Sequence, residues 1–241
     1  MEFEVAAKTD VGKLRSKNED AFHVDAERGL FIVADGLGGH LGGEVASRLA
    51  VEEIVSYITE RDRDDVDEHL LRNAVISANE KIYRRSREDL SLLGMGTTVV
   101  VAFIEKRTLW MAHVGDSRAY ILSESGLALL TEDHTLLYEA MKQGATHEEH
   151  QIKHVYRGPL SRAVGVERSV TVDTREYEFG DEGLLLCTDG LTDMLLDNEI
   201  EEVLRTDAAP PEACDSLIRM ANEKGGIDNI TVIVVRRGKD A

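Results

Sequence analysis

Four aspartates of this chain stand at strand boundaries in similar surroundings. Asp35 follows the apolar run of residues 30–34 and precedes Gly36-Leu37, and Asp189 follows residues 183–187 and Thr188 and precedes Gly190-Leu191. Asp116 lies in Val114-Gly115-Asp116-Ser117-Arg118 between two strand-like runs, and Asp228 precedes Asn229 and a last such run. Glu19 and Asp20 open another strand, at residues 21–24. Each alone is ordinary turn chemistry. Strands of two packed sheets can nevertheless bring such ends to one rim. Carboxylates crowded there repel one another, and hard cations with oxygen ligands relieve the repulsion. With no Cys/His ligand set in the chain, Mg²⁺ or Mn²⁺ suits such a site better than zinc.

The loop after Asp35 carries five glycines and one histidine, His40, between a strand period and a helix period. Three readings fit it. It is a tight strand-to-helix connection in which Asp35 caps a turn, a phosphate-cradling loop, or a metal site to which Asp35 and the Gly36 carbonyl contribute oxygens. The second is weak: Leu41 stands where G-x-G-x-x-G needs its third glycine, and no Lys-Ser or Lys-Thr follows. Other candidates read blandly. Lys81, Arg84, Arg85 and Arg87 are cations near a helix C-terminus. His147, His150 and His154 share a helical face but do not form the H-E-x-x-H zinc pattern.

A formal net charge of −18 over 241 residues argues against nucleic acid and anionic membrane as partners, since both are bound through clustered Lys and Arg. It argues against phosphorylated substrates too, unless bound divalent cations reverse the local sign. Met1-Glu2-Phe3-Glu4-Val5 lacks the features of a signal peptide. The longest apolar run, residues 99–104, falls far short of the roughly 20 residues a membrane span needs. The expectation is a cytoplasmic protein in which Cys187 and Cys214 are small buried hydrophobes.

The elements that must position these residues follow from periodicity. Strands are expected at residues 3–7, 21–24 and 30–34, the last two as a hairpin that sets Glu19 and Asp20 beside the end of the central strand. A helix starts near Glu44, and a second presents Leu71, Ala74, Val75, Ala78 and Ile82 to the core. Residues 98–104, 108–113, 118–123 and 127–131 read as antiparallel neighbours of one up-and-down sheet. Residues 133–165 are irregular, with helical pieces at 136–143 and 148–154. Strands at 170–177, 183–187 and 230–235 and a helix carrying Ala213, Leu217, Met220 and Ala221 complete the chain.

In order and spacing, Arg15-Ser16-Lys17-Asn18-Glu19-Asp20, residues 34–46, 94–98, 113–118, 160–165 and 187–191, and Asp228-Asn229 resemble the metal-dependent serine/threonine protein phosphatases of type 2C, above all the compact bacterial members. The resemblance covers nearly the whole chain. It implies a single catalytic domain over 1–241 of α+β class: a four-layer α-β-β-α sandwich of two antiparallel sheets flanked by helices, with a flap over about 133–165. It implies Mn²⁺ or Mg²⁺ as cofactor, two core ions and a third, weaker one. Asp35 would bridge the core pair, Gly36 would add its carbonyl, and Asp189 and Asp228 would complete one ion. Glu19 and Asp20 would act through coordinated waters, Asp116 with Asp189 would hold the third ion, and Arg15 would clasp the phosphate. A metal-bridging water would attack phosphorus in line. His40 would protonate the leaving alcohol, although eukaryotic members place that histidine directly after Asp-Gly and here three residues intervene. The partners implied are phosphorylated proteins or peptides and a cognate serine/threonine kinase. Two rivals remain: a phosphatase-like binding domain, disfavoured because every mapped ligand position holds a competent residue, and a hydrolase of small phosphate esters.

Overall fold

Strict alternation along the central strands builds the layers. In the strand Leu30–Leu37 (β3), Leu30, Ile32 and Ala34 join a core with the helices, while Phe31 and Val33 face a second sheet. Successive strand side chains point to opposite faces, so Asp35 continues the row of Phe31 and Val33 into the space between the sheets. The structure is a computed structural model, and it describes residues 3–37, 42–144 and 158–238.

One sheet has the order β1-β11-β10-β7-β8, built from Phe3–Asp10 (β1), Arg118–Ser123 (β7), Gly126–Leu129 (β8), Gly183–Cys187 (β10) and Ile230–Arg237 (β11). The other has the order β2-β3-β5-β6-β9, from Asp20–Asp25 (β2), β3, Val99–Glu105 (β5), Thr108–Val114 (β6) and Asp173–Glu178 (β9); the short Gly96–Thr97 (β4) also pairs with β3. All pairings are antiparallel. Helices Gly42–Thr59 (α1) and Glu68–Glu88 (α2) cover the second sheet through Ala46, Ile54, Leu71, Val75 and Ile82. Asp197–Leu204 (α5) and Pro210–Glu223 (α6) cover the first through Ile200, Leu217 and Ala221. Two short helices, Leu136–Lys142 (α3) and Asp189–Thr192 (α4), lie near the ends of strands. The four layers expected of the chain are present, and each fully buried aliphatic side chain contributes roughly 1.5–3 kcal/mol by its removal from water. Both cysteines are buried, and neither is in a disulfide.

Two expectations need correction. Residues 98–131 do not form one up-and-down sheet: β6 pairs with β5 and β9, whereas β7 pairs with β10 and β8. The Gly115-Asp116-Ser117 turn therefore carries the chain from one sheet to the other. The strand carrying Asp35 also runs on to Leu37, because Gly36 and Leu37 pair with Thr97 and Gly96 of β4. The helical piece expected at 148–154, with His147, His150 and His154, lies outside the described residues.

Candidate functional site

At one end of the sandwich a cavity of about 730 Å³ is lined by Arg15, Glu19, Asp35, Gly36, Asp116, Asp189 and Asp228, with Gly158, Pro159 and Leu160 from the 133–165 segment on its rim. Seven of the nine residues singled out from the sequence thus share one cavity. An eighth, Asp20, stands directly behind it. His40 lies outside the described residues.

Each acidic group is held by the end of its own strand. The Asp35 amide donates to Thr98 Oγ1 at 3.0 Å, and its carbonyl accepts from the Thr97 hydroxyl and the Thr98 amide, both at 2.8 Å. Asp20 pairs directly with Asp35 across the β2–β3 ladder. Its Oδ2 accepts from Thr231 Oγ1 at 2.6 Å and Thr188 Oγ1 at 2.9 Å, while Oδ1 is buried with no hydrogen-bond partner among the described residues. Gly36 cannot be replaced without movement: a Cβ there would lie 2.2 Å from the Gly43 carbonyl oxygen and 2.5 Å from that of Glu19. Arg15 Nη2 donates to Asp228 Oδ2 at 2.6 Å, and this bond raises the guanidinium pKa further above its ordinary value.

Electrostatics tie the carboxylates into one set. Burial pushes Asp20 up to about 7; the two threonine hydroxyls oppose the rise, and the charges of Asp189 and Asp228 add to it. Asp35 is driven well above the carboxylate range by burial, by the charges of Asp20, Asp189 and Asp116, and by a hydrogen bond shared with Asp189. Such groups are protonated or neutralised by cations. An orphaned buried carboxylate oxygen and an all-oxygen donor set fit hard divalent ions.

Some organising residues carry no local signal in the sequence. Asn229, 4% exposed, donates to the carbonyls of Val11 at 2.9 Å and Lys17 at 2.8 Å and accepts from the Glu19 amide at 2.8 Å, joining the loops that bear Arg15, Glu19 and Asp228. His134 holds the turn of Asp116. Its Nδ1 accepts from the Gly115 amide at 3.1 Å, and its own amide donates to the Gly115 carbonyl at 2.9 Å. Because Nδ1 is an acceptor there, Nε2 carries the proton and faces Asp173 Oδ2 at 3.3 Å. Burial, with His113 and Arg162 nearby, pushes His134 down to about 4. His113, His134 and Asp173 bring ligand atoms within 4.8 Å of one another. The Arg162 guanidinium, 2.8 Å from Asp173 Oδ1 and 3.2 Å from His134 Nε2, already supplies positive charge there. The partners named for these residues are 19 to 218 positions away in sequence, so only the folded chain reveals them.

Two antiparallel sheets between helix layers, with an acidic cavity at the strand ends, define the protein phosphatase 2C fold and site, and the chain belongs to that family: its family model, Protein phosphatase 2C, matches residues 14–225. Among relatives, the serine/threonine phosphatase stp of Listeria welshimeri is 39% identical over 250 residues, covering 97% of this chain and 98% of that one. The protein phosphatase PhpP of Streptococcus pneumoniae is 34% identical over 245 residues, covering 98% of each. The crystal structure of the Mycobacterium tuberculosis serine/threonine phosphatase PstP/Ppp superposes with a TM-score of 0.91 at 32% identity, covering 99% of this chain and 100% of that one. A PstP catalytic domain in complex with two manganese ions superposes at 0.84, with 33% identity and 97% of each chain covered. The chain is a metal-dependent phosphatase. Among the described residues no helix is long and apolar enough to cross a membrane.

Proposed function

We propose that this phosphatase hydrolyses phosphoserine and phosphothreonine esters in proteins, using Mn²⁺ or Mg²⁺, in cytoplasmic signalling that opposes a serine/threonine kinase. The observation that carries the reading is the convergence of Asp35, Asp116, Asp189 and Asp228 with the guanidinium of Arg15 at one cavity, with the carboxyl of Asp20 coupled to them by charge. A site so acidic repels a phosphate dianion unless cations are held there. The names of the relatives supply the substrate class.

Asp35, Asp189 and Asp228 with the Gly36 carbonyl would hold two core ions, Glu19 and Asp20 would order their waters, and Asp116 with Asp189 would hold a third. When bound, such ions supply Lewis acidity toward phosphoryl oxygens and lower the pKa of water. The remaining work belongs to the chain. The planar fork of Arg15 suits two oxygens of the phosphoryl group and fixes its orientation. Thr97 and Thr98 fix the backbone of Asp35, and Thr188 and Thr231 fix the carboxyl of Asp20, so little reorganisation is needed as charge develops. In hydrolysis, water adds to phosphorus, the ester P–O bond breaks, and the seryl or threonyl oxygen leaves with a proton. His40 is the candidate donor of that proton.

The segment 133–165, which contributes Gly158, Pro159 and Leu160 to the cavity rim, would act as a flap over a single catalytic unit spanning 1–241. Phosphothreonine peptide hydrolysis by the purified chain tests the reading. Phosphate release with Mn²⁺ or Mg²⁺ and none with EDTA is expected; equal rates in both would refute it. Asp116→Ala should retain two bound ions by calorimetry yet lose much of its turnover.

A further inference from the structure

Glu19 is held at its amide, its carbonyl and its carboxylate. The amide donates to Asn229 Oδ1 at 2.8 Å. The carbonyl accepts from the Gly36 amide at 3.1 Å and from Ser47 Oγ at 2.6 Å. The carboxylate lies against Gly43, where a Cβ would stand 2.8 Å from both Glu19 Cδ and Oε2. Asn229 and Gly36 line the cavity, as Glu19 does, whereas Gly43 and Ser47 stand behind it in the first two turns of α1. Four residues apart, they share one face of that helix.

Two features mark this contact as more than helix packing. Ser47 is 1% exposed, and a serine inside a helix ordinarily bonds a carbonyl of its own preceding turn. Here the Glu44 carbonyl of that turn is 3.3 Å from Ser47 Oγ, and the shorter bond goes to Glu19, 28 positions away. Gly43 has no side chain, so the Glu19 carboxylate comes directly onto the start of α1, the helix end that favours an anion. A glutamate side chain otherwise has much rotamer freedom, and a wall on one side removes part of it.

We infer that Ser47 and Gly43 are positioning residues for Glu19, so that α1 sets where this carboxylate stands and thereby how tightly the cavity holds Mn²⁺. The inference rests on the proposed place of Glu19 around the ions. Neither residue touches the cavity, and each acts through Glu19.

Mn²⁺ titration by calorimetry, beside thermal melts in EDTA, separates positioning from folding. S47A removes the hydroxyl without adding volume, and G43A sets a methyl against the carboxylate. Each should weaken Mn²⁺ binding about tenfold, the scale on which a group behind a metal's ligands acts, while keeping a cooperative melt in EDTA. In an E19A background S47A should cause no further loss, because the side chain it positions is gone. Should G43A fail to fold, S47A and the S47A/E19A double variant decide the matter. An S47A protein whose melt falls while its Mn²⁺ dissociation constant stays unchanged, or whose loss of affinity is the same with and without the Glu19 side chain, would overturn the positioning role alone. E19A binding Mn²⁺ as tightly as the unaltered protein would instead overturn the place of Glu19 around the ions, and the positioning with it.

Discussion

Stripping the metal from this protein should make its stability fall as pH rises, the reverse of an ordinary acid-labile carboxylate protein. Asp20 is the group to perturb. Its carboxyl moves from 3.8 in the unfolded chain to about 7 in the fold, chiefly through burial. The folded form therefore holds its proton more tightly, and between those two pH values folding binds a proton that unfolding releases. Stability is full below pH 3.8, declines through the window and levels off above about 7. The total is roughly 4 kcal/mol, of which about 3 falls between pH 5 and pH 8, a large share of the roughly 5–15 kcal/mol that holds a domain together. Asp35, raised in the same direction, adds to the slope. Asp20→Asn removes the ionisation while leaving an amide oxygen to accept from Thr188 and Thr231, so its stability should vary less with pH. Urea unfolding followed by circular dichroism in EDTA at several pH values measures this, and added Mn²⁺ should restore stability at pH 8 by binding the folded state. A wild-type profile that is flat or rises from pH 5 to pH 8, or one that Asp20→Asn leaves unchanged, would refute the reasoning.

Asp35→Asn, Asp189→Asn and Asp228→Asn should each abolish phosphatase activity without lowering the melting temperature in EDTA, since each removes a ligand and a repulsive charge together. Gly36→Ala should lower stability by about 1–3 kcal/mol and weaken Mn²⁺ binding in calorimetric titration, because its methyl overlaps the Gly43 carbonyl at 2.2 Å. Asp133→Ala should lower stability by roughly 3–5 kcal/mol in urea melts. It leaves Arg118 buried without the carboxylate that accepts from Nε at 2.8 Å and Nη2 at 2.6 Å.

Much of the site was legible because strand alternation is a short-range signal. The runs ending on Asp35 and Asp189 announce buried strands, and the Asp20–Asp35 pairing follows from a hairpin whose turn is local. The crossing at Asp116 was not legible. Val114-Gly115-Asp116-Ser117 reads as a hairpin turn, and its departure for the other sheet depends on β9 and β10 competing for β6 and β7 as partners, strands more than 50 residues downstream. Helix α4 was missed because four residues are too few to show a period, and α5 because its buried residues are only Ile200 and Leu204. Asn229 and His134 carry nothing in their neighbours that distinguishes a structural hub from a polar turn residue.

The pairing of β1 with β11 along their whole length, from Phe3 opposite Arg237 to Asp10 opposite Ile230, bears on how the protein is born. During synthesis the first strand emerges long before its one partner strand among the described residues, and a contact of such sequence separation forms late and slowly. The cavity wall shares this dependence, since Arg15 and Asp228 come from opposite ends of the sequence. A ribosome-bound chain that has not yet released β11 holds neither the closing strand nor the completed wall. The closing strand and the cavity wall are thus completed together by residues 228–237.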